Sequence, residues 1–126
     1  MGVVRSPLTD AASAPKQGDE GAPEAWIEFD AAVADAVAGI AAGDELLVLT
    51  WLDRADRAVL RVHPRDDLSR PMQGVFTTRS SDRPNPIGLP RVRVLEAAGL
   101  RLRVADLEAL DGTPVLDVKP PLKRER

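Results

Sequence analysis

Arg91-Val92-Arg93-Val94-Leu95-Glu96-Ala97-Ala98-Gly99-Leu100-Arg101-Leu102-Arg103-Val104 is the stretch that decides the fold. Val92 and Val94 alternate with arginines on one side of a turn, and Leu100, Leu102 and Val104 alternate with arginines on the other. Period-two alternation buries one face of an antiparallel hairpin and leaves the other wet. The turn is expected at Glu96 to Gly99, with Arg91, Arg93, Arg101 and Arg103 sharing the outer face. Working outward, Glu45 to Leu52 is a continuous apolar run of the length and branching of a buried strand. Ala58 to His63 is expected to pair with it. Gly74 to Thr77, Val115 to Lys119 and Trp26 to Phe29 read as further short strands. Asp30 suits an N-cap, Val33, Ala34 and Val37 lie at helical spacing, and Gly39 closes one short helix. Six or seven short strands with one helix make the chain mainly all-β, a barrel or a sandwich.

The chain has 126 residues, expected to form a single domain over 1–126 that buries about 65% of the surface its unfolded form exposes. Residues 8–24 are small, polar and proline-rich and read as an exposed loop; 120–126 read as a charged tail. With no cysteine and one histidine, thiolate chemistry and disulfides are excluded, and a metal site is not expected. No stretch has the apolar length of a membrane span, so a cytoplasmic protein that does not enter a membrane is expected. Net charge is −3, and the first fifty residues hold two basic against nine acidic groups, leaving fifteen against eleven thereafter. Such asymmetry permits a basic surface for a phosphate-rich partner without requiring one.

Two segments carry chemistry. Thr78-Arg79-Ser80-Ser81-Asp82-Arg83-Pro84-Asn85-Pro86-Ile87-Gly88-Leu89 is stiffened by its prolines, which hold Arg83 and Asn85 in extended backbone. Arg79 and Arg83 offer planar donors, Asn85 a donor and an acceptor, and Ile87 and Leu89 an apolar wall. Asp111-Gly112-Thr113-Pro114-Val115-Leu116-Asp117-Val118-Lys119-Pro120 adds acceptors at Asp111 and Asp117, a hydroxyl at Thr113 and close backbone access at Gly112. Asp-Gly-Thr-Pro is equally an ordinary tight turn, and Arg79 or Arg83 can pair locally with Asp82. Neither a dinucleotide glycine fingerprint, a P-loop nor a nucleophile elbow is present.

The two segments in this order resemble the TsaA-like family, whose studied bacterial members are the tRNA methyltransferases called TrmO. The likeness extends to Gly2-Val3-Val4-Arg5-Ser6-Pro7, Pro15-Lys16-Gln17, Trp51-Leu52 and His63-Pro64-Arg65. It implies a compact β-barrel that binds S-adenosylmethionine without a Rossmann domain, commonly as a homodimer with the site near the subunit boundary. The implied reaction is N6-methylation of threonylcarbamoyladenosine at position 37 of certain tRNAs. Carried over by position, Arg79, Ser80, Arg83, Asn85, Ile87, Gly88 and Leu89 form the cofactor loop. Asp111, Gly112, Thr113 and Pro114 close it, Asp117 and Lys119 sit beside it, and Gln17 reaches the same pocket. His63 is a candidate proton acceptor or a structural hydrogen-bonder, and Arg91, Arg93, Arg101 and Arg103 are candidate phosphate contacts or a solvated face.

The chain departs from the family pattern at several positions. Asp53 stands where histidine is frequent after Trp-Leu, exchanging a group that titrates near neutrality for an acid, so Asp53 joins His63 as a residue bearing on the acceptor. Lys16 replaces a usual arginine, Ser81 a frequent proline, Pro90 a small polar residue and Pro121 the usual aromatic. Two alternatives therefore stand beside the tRNA reading: a methyltransferase of the same fold acting on a small molecule, and a non-catalytic S-adenosylmethionine-binding module.

Overall fold

The alternation seen in the sequence becomes an enclosed core. In a computed structural model that describes residues 1–9, 23–64 and 67–122, Val4, Ile27, Val48, Leu102 and Val104 are fully buried, and Val92 and Val94 nearly so. They come from strands β1 (Gly2–Arg5), β2 (Ala25–Phe29), β3 (Glu45–Trp51), β7 (Arg91–Ala98) and β8 (Arg101–Ala105), and β9 (Pro114–Lys119) adds Val115. Each contributes every second residue, as the pleat requires. The strands pair antiparallel in the order β3-β7-β8-β2-β1-β9, and β9 returns to β3, which closes a six-stranded barrel. The expected barrel is thus present.

The hairpin that decides the fold forms with a tighter turn than its sequence suggests. Glu96 to Ala98 stay in β7, and Ala98 pairs directly with Arg101, leaving Gly99 and Leu100 as the turn. Gly99 has φ of 64°, in the left-handed region that glycine enters at no steric cost. The extra length is absorbed by an irregularity between Val94 and Glu96.

The expected pairing of Ala58–His63 with the long strand does not form. Both edges of β3 are occupied, by β7 and β6 (Ile87–Gly88) on one side and by β9 on the other. β4 is only Arg61–Val62 and pairs with β5 (Gln73–Gly74) in a separate two-stranded ribbon. Val75–Thr77 is likewise a 3₁₀ turn rather than a strand, because the Thr77 hydroxyl donates to the Gly74 carbonyl and that of Thr78 to Val75.

The short helix is a 3₁₀ turn (Ala31–Val33) running into α1 (Ala34–Val37), and Gly39 closes it with φ of 92°. Asp30 occupies the N-cap position without a capping bond; its carboxylate binds the Met1 ammonium at 2.9 Å instead. Val37 joins the core, and Val33 and Ile40 pack on it. No helix among the described residues is long and apolar enough to cross a membrane.

Candidate functional site

β3 brings the two chemical segments together. Its inward residues are Leu46, Val48 and Thr50, all buried, so Leu47, Leu49 and Trp51 face outward. Directly opposed residues of an antiparallel pair share a face. Ile87 lies opposite Trp51 on one edge, while Asp117 lies opposite Leu49 and Lys119 opposite Leu47 on the other. Side chains more than twenty residues apart in sequence therefore border one outer strip. Ile87 stays exposed there by 46%, and Leu89 and Leu116, on the same two segments, stay exposed by 43% and 44%.

The proline-rich loop is built on internal hydrogen bonds. Arg83 Nη1 donates to the carbonyls of Thr78 and Ser80, both at 3.0 Å, and its guanidinium lies 5.9 Å from the Phe76 ring centre. The Ser80 amide donates to the Thr78 hydroxyl. Pro86 is buried, and its carbonyl accepts from the Leu52 amide at 2.8 Å, which pins the loop to the end of β3. The Ile87 amide closes back on the Asn85 carbonyl at 2.8 Å. At Gly88 the fit is closest: an added Cβ would overlap Thr50 Oγ1.

A charged segment that composition alone makes look like solvated surface holds this loop in place. The Asp82 carboxylate accepts from the Asp56 amide at 2.8 Å rather than pairing with Arg79 or Arg83. Arg57 lies over the Trp51 ring and donates to the Pro84 carbonyl at 2.7 Å and to Asn85 Oδ1 at 3.2 Å. Arg54 donates to the carbonyls of Thr9 and Asp111, so it ties the start of the chain to the Asp-Gly-Thr-Pro turn. Sequence reasoning passed over Arg54, Asp56 and Arg57. The available signal was their density, five residues from Asp53 to Arg57 with four charges of both signs directly after the longest apolar run.

The second segment divides into a scaffold and an exposed part. Asp111 Oδ1 accepts from the Ser6 amide at 3.1 Å, and Thr113 is buried with its hydroxyl donating to the Leu110 carbonyl. Gly112, with φ of 86°, turns the chain so that its amide meets the Val4 carbonyl. Pro114 opens β9 opposite Val3. Asp117 Oδ1 takes the Val118 amide at 2.8 Å, and no Asp117–Lys119 ion pair forms. Lys119 is exposed. Asp117 and Lys119 also edge an open cavity of about 640 Å³ beside the short helix, lined by Phe29, Val33, Val37 and Leu46 and touching no residue of the 78–89 loop. Only the strip along β3 borders both chemical segments; the cavity, with Asp44 and Glu45 also on its rim, is bordered by the second segment alone.

Other candidates fall elsewhere. His63 Nδ1 lies 2.8 Å from the Arg70 carbonyl, which fixes the proton on Nδ1 and leaves Nε2 as the open acceptor of the neutral ring. Nearby, the Ser69 hydroxyl and amide hold the Asp67 carboxyl below its usual range. Asp53 is exposed, and neither it nor His63 hydrogen-bonds to the 78–89 loop among the described residues. Arg91 pairs with Glu45, Arg101 with Glu28 while stacking on Trp26, and Arg103 with Glu24 and Glu96, whose carboxylates raise its pKa. Arg93 has no ion pair among the described residues. Gln17 lies outside the described residues.

The sequence profile of the tRNA-methyltransferase O N-terminal domain matches residues 3–124. The chain belongs to this family. It is 47% identical over 120 residues to a probable S-adenosyl-L-methionine-binding protein of Methanothermobacter thermautotrophicus, spanning 95% of this chain and 85% of that one. Over 119 residues it is 44% identical to an S-adenosyl-L-methionine-binding protein of Archaeoglobus fulgidus, covering 94% and 84%. Among solved structures, TrmO from Pseudomonas aeruginosa superposes with a TM-score of 0.74 at 29% identity, over 96% of this chain and 53% of that one. A second TrmO crystal structure gives 0.75 at 30%, over 96% and 54%. The chain thus spans about half the length of the solved TrmO chains, and its barrel is the TrmO amino-terminal fold.

Proposed function

We propose that the chain binds S-adenosylmethionine along the outer strip of β3 and transfers its methyl group, most consistently to N6 of threonylcarbamoyladenosine at position 37 of tRNA. The observation that carries this reading is the meeting of the proline-rich loop and the Asp117–Lys119 segment across one strand. The groups there suit the cofactor. Asn85 and Arg79 offer exposed donors, Asp117 has a second carboxylate oxygen for a hydroxyl or an amine, and Lys119 can meet a carboxylate. Ile87, Leu49 and Leu89 supply an apolar wall for a ring.

When bound, the cofactor supplies a methyl group already activated on a sulfonium, so the protein's contribution is mainly alignment and exclusion of water. Arg83 and the buried Pro86 keep the loop in one shape, and the lack of a side chain at Gly88 lets β6 lie close beside Thr50 of β3. His63, whose Nδ1 donates to the Arg70 carbonyl, is the candidate for taking the proton that the acceptor nitrogen sheds, on the family resemblance and not on any contact with the strip. The exposed apolar side chains on the strip suit cover by a second copy, so a cytoplasmic homodimer with the site at its boundary is part of this proposal.

A second reading has its own support. Three of the four hairpin arginines are paired with carboxylates, which weakens the outer face of the hairpin as a surface for a phosphate backbone. A small-molecule acceptor needs no such surface. Incubation with labelled S-adenosylmethionine and threonylcarbamoyl-modified tRNA, followed by nucleoside mass spectrometry, separates the two. Methylated threonylcarbamoyladenosine is expected. Cofactor binding with unmodified tRNA at every salt concentration would sink the tRNA reading, and no cofactor binding by folded protein would sink both, leaving no role even as a binding module.

A further inference from the structure

Asn85 sits between two prolines on the exposed rim of the loop, with its backbone carbonyl closed onto the Ile87 amide. Its side chain is held by a residue from a different segment. Arg57 rests over the Trp51 ring, donates through Nε to the Pro84 carbonyl at 2.7 Å and through Nη2 to Asn85 Oδ1 at 3.2 Å. A guanidinium has donors and no acceptor, so only the carboxamide oxygen can face it. The amide nitrogen of Asn85 must then point the other way. Trp51 is itself outward on β3 and opposite Ile87, so this arrangement stands at the edge of the candidate site.

We infer that Arg57 is a positioning residue that orients the Asn85 carboxamide so that its NH₂ group is presented to the ligand, making Asn85 a dedicated donor to an acceptor atom of the cofactor. The inference rests on the S-adenosylmethionine reading above and goes beyond it by assigning a role to Arg57 and a polarity to Asn85. Without Arg57 the carboxamide would rotate freely and offer oxygen and nitrogen alike. Ordering one such side chain in advance is worth about a two- to tenfold gain in affinity.

The test is a double-mutant cycle read by calorimetric titration of S-adenosylmethionine into the purified full chain, with circular dichroism melts as the control for folding. Asn85→Ala is expected to weaken binding about tenfold, the value of one hydrogen bond. Arg57→Ala should weaken it two- to tenfold in the parent and by less than about twofold when Asn85 is already alanine, because it acts through that side chain. A purely structural role for Arg57 would give the same loss in both backgrounds and would overturn the inference. Asn85→Asp keeps an oxygen for Arg57 and removes the donor, at an exposed position where folding is not at stake. It should bind at least as weakly as Asn85→Ala, and binding equal to the parent would overturn the assigned polarity. Failure of the parent itself to bind would instead overturn the cofactor reading, and this inference with it.

Discussion

Replacing Gly88 by alanine tests how tightly the proline-rich loop is seated on the barrel. The new Cβ would overlap Thr50 Oγ1 and lie 3.4 Å from Leu52 Cδ2. Relief by movement of Thr50 is poor, because its side chain is β-branched, 1% exposed and carried by a strand paired on both edges. The strain must lift β6 from β3. Overpacking of this kind costs about 1–3 kcal/mol. Over 126 residues an unfolding entropy of about 2.1 cal/mol/K per residue sums to roughly 0.26 kcal/mol/K, so the melting temperature should fall by about 4–11 °C. Thr50→Ala removes the obstructing oxygen, a hydroxyl that is buried without a hydrogen-bond partner. In the Gly88→Ala background it should therefore restore part of the loss, and Ile87 and Leu89 should return to their places with it. Differential scanning calorimetry of the four proteins measures this, and titration with S-adenosylmethionine reports whether the site recovers. A Gly88→Ala melt within 1 °C of the parent (about 0.3 kcal/mol on the same scale), or a double variant no better than the sum of the singles, would refute the reasoning.

Arg83→Ala should weaken cofactor binding by about tenfold or more while lowering stability by roughly 1 kcal/mol, since it removes two bonds internal to an exposed loop; calorimetric titration beside urea unfolding checks the split. Asp111→Ala uncovers the Ser6 amide and should cost about 1.5–3 kcal/mol in urea unfolding, with Asp111→Asn retaining more than half. The Asp67 carboxyl is lowered from its usual 3.8 by the Ser69 bonds. Its contribution to stability is therefore complete above that value and lost as pH falls through the lowered one, so Asp67→Asn should differ from the parent near pH 6 and converge with it in acid. If tRNA is the partner, Arg93→Ala should reduce the slope of log affinity against log salt by about one, measured by filter binding.

The parts of the fold that were legible are those where the core dictates alternation. Val92, Val94, Leu102 and Val104 could be read because each is enclosed and follows an arginine. Leu46 to Trp51 could be read as a strand but not as the junction of both chemical segments, since register is a long-range property that no local pattern encodes. The pairing expected for Ala58–His63 failed for the same reason: both edges of β3 were taken by segments remote in sequence. In the candidate site, Asp111 and Thr113 were legible as polar groups, whereas their work in the scaffold depends on Ser6 and Leu110. Arg57 escaped notice because an arginine in a charged run looks solvated until its partners across the loop are known.

Closure of the barrel has a consequence for how copies of this chain can meet. An open sheet offers a row of unpaired amides and carbonyls on which another molecule can template. Here the pairing of β9 with β3 uses up that row for six strands, and among the described residues the strands outside the barrel, β4, β5 and β6, are two residues long. Strand addition is thereby discouraged, in a well-formed dimer and in an amyloid-like aggregate alike. Contact between copies would fall to side chains meeting face to face, so any self-association should respond to substitutions at Leu89 or Leu116 and not depend on free strand edges.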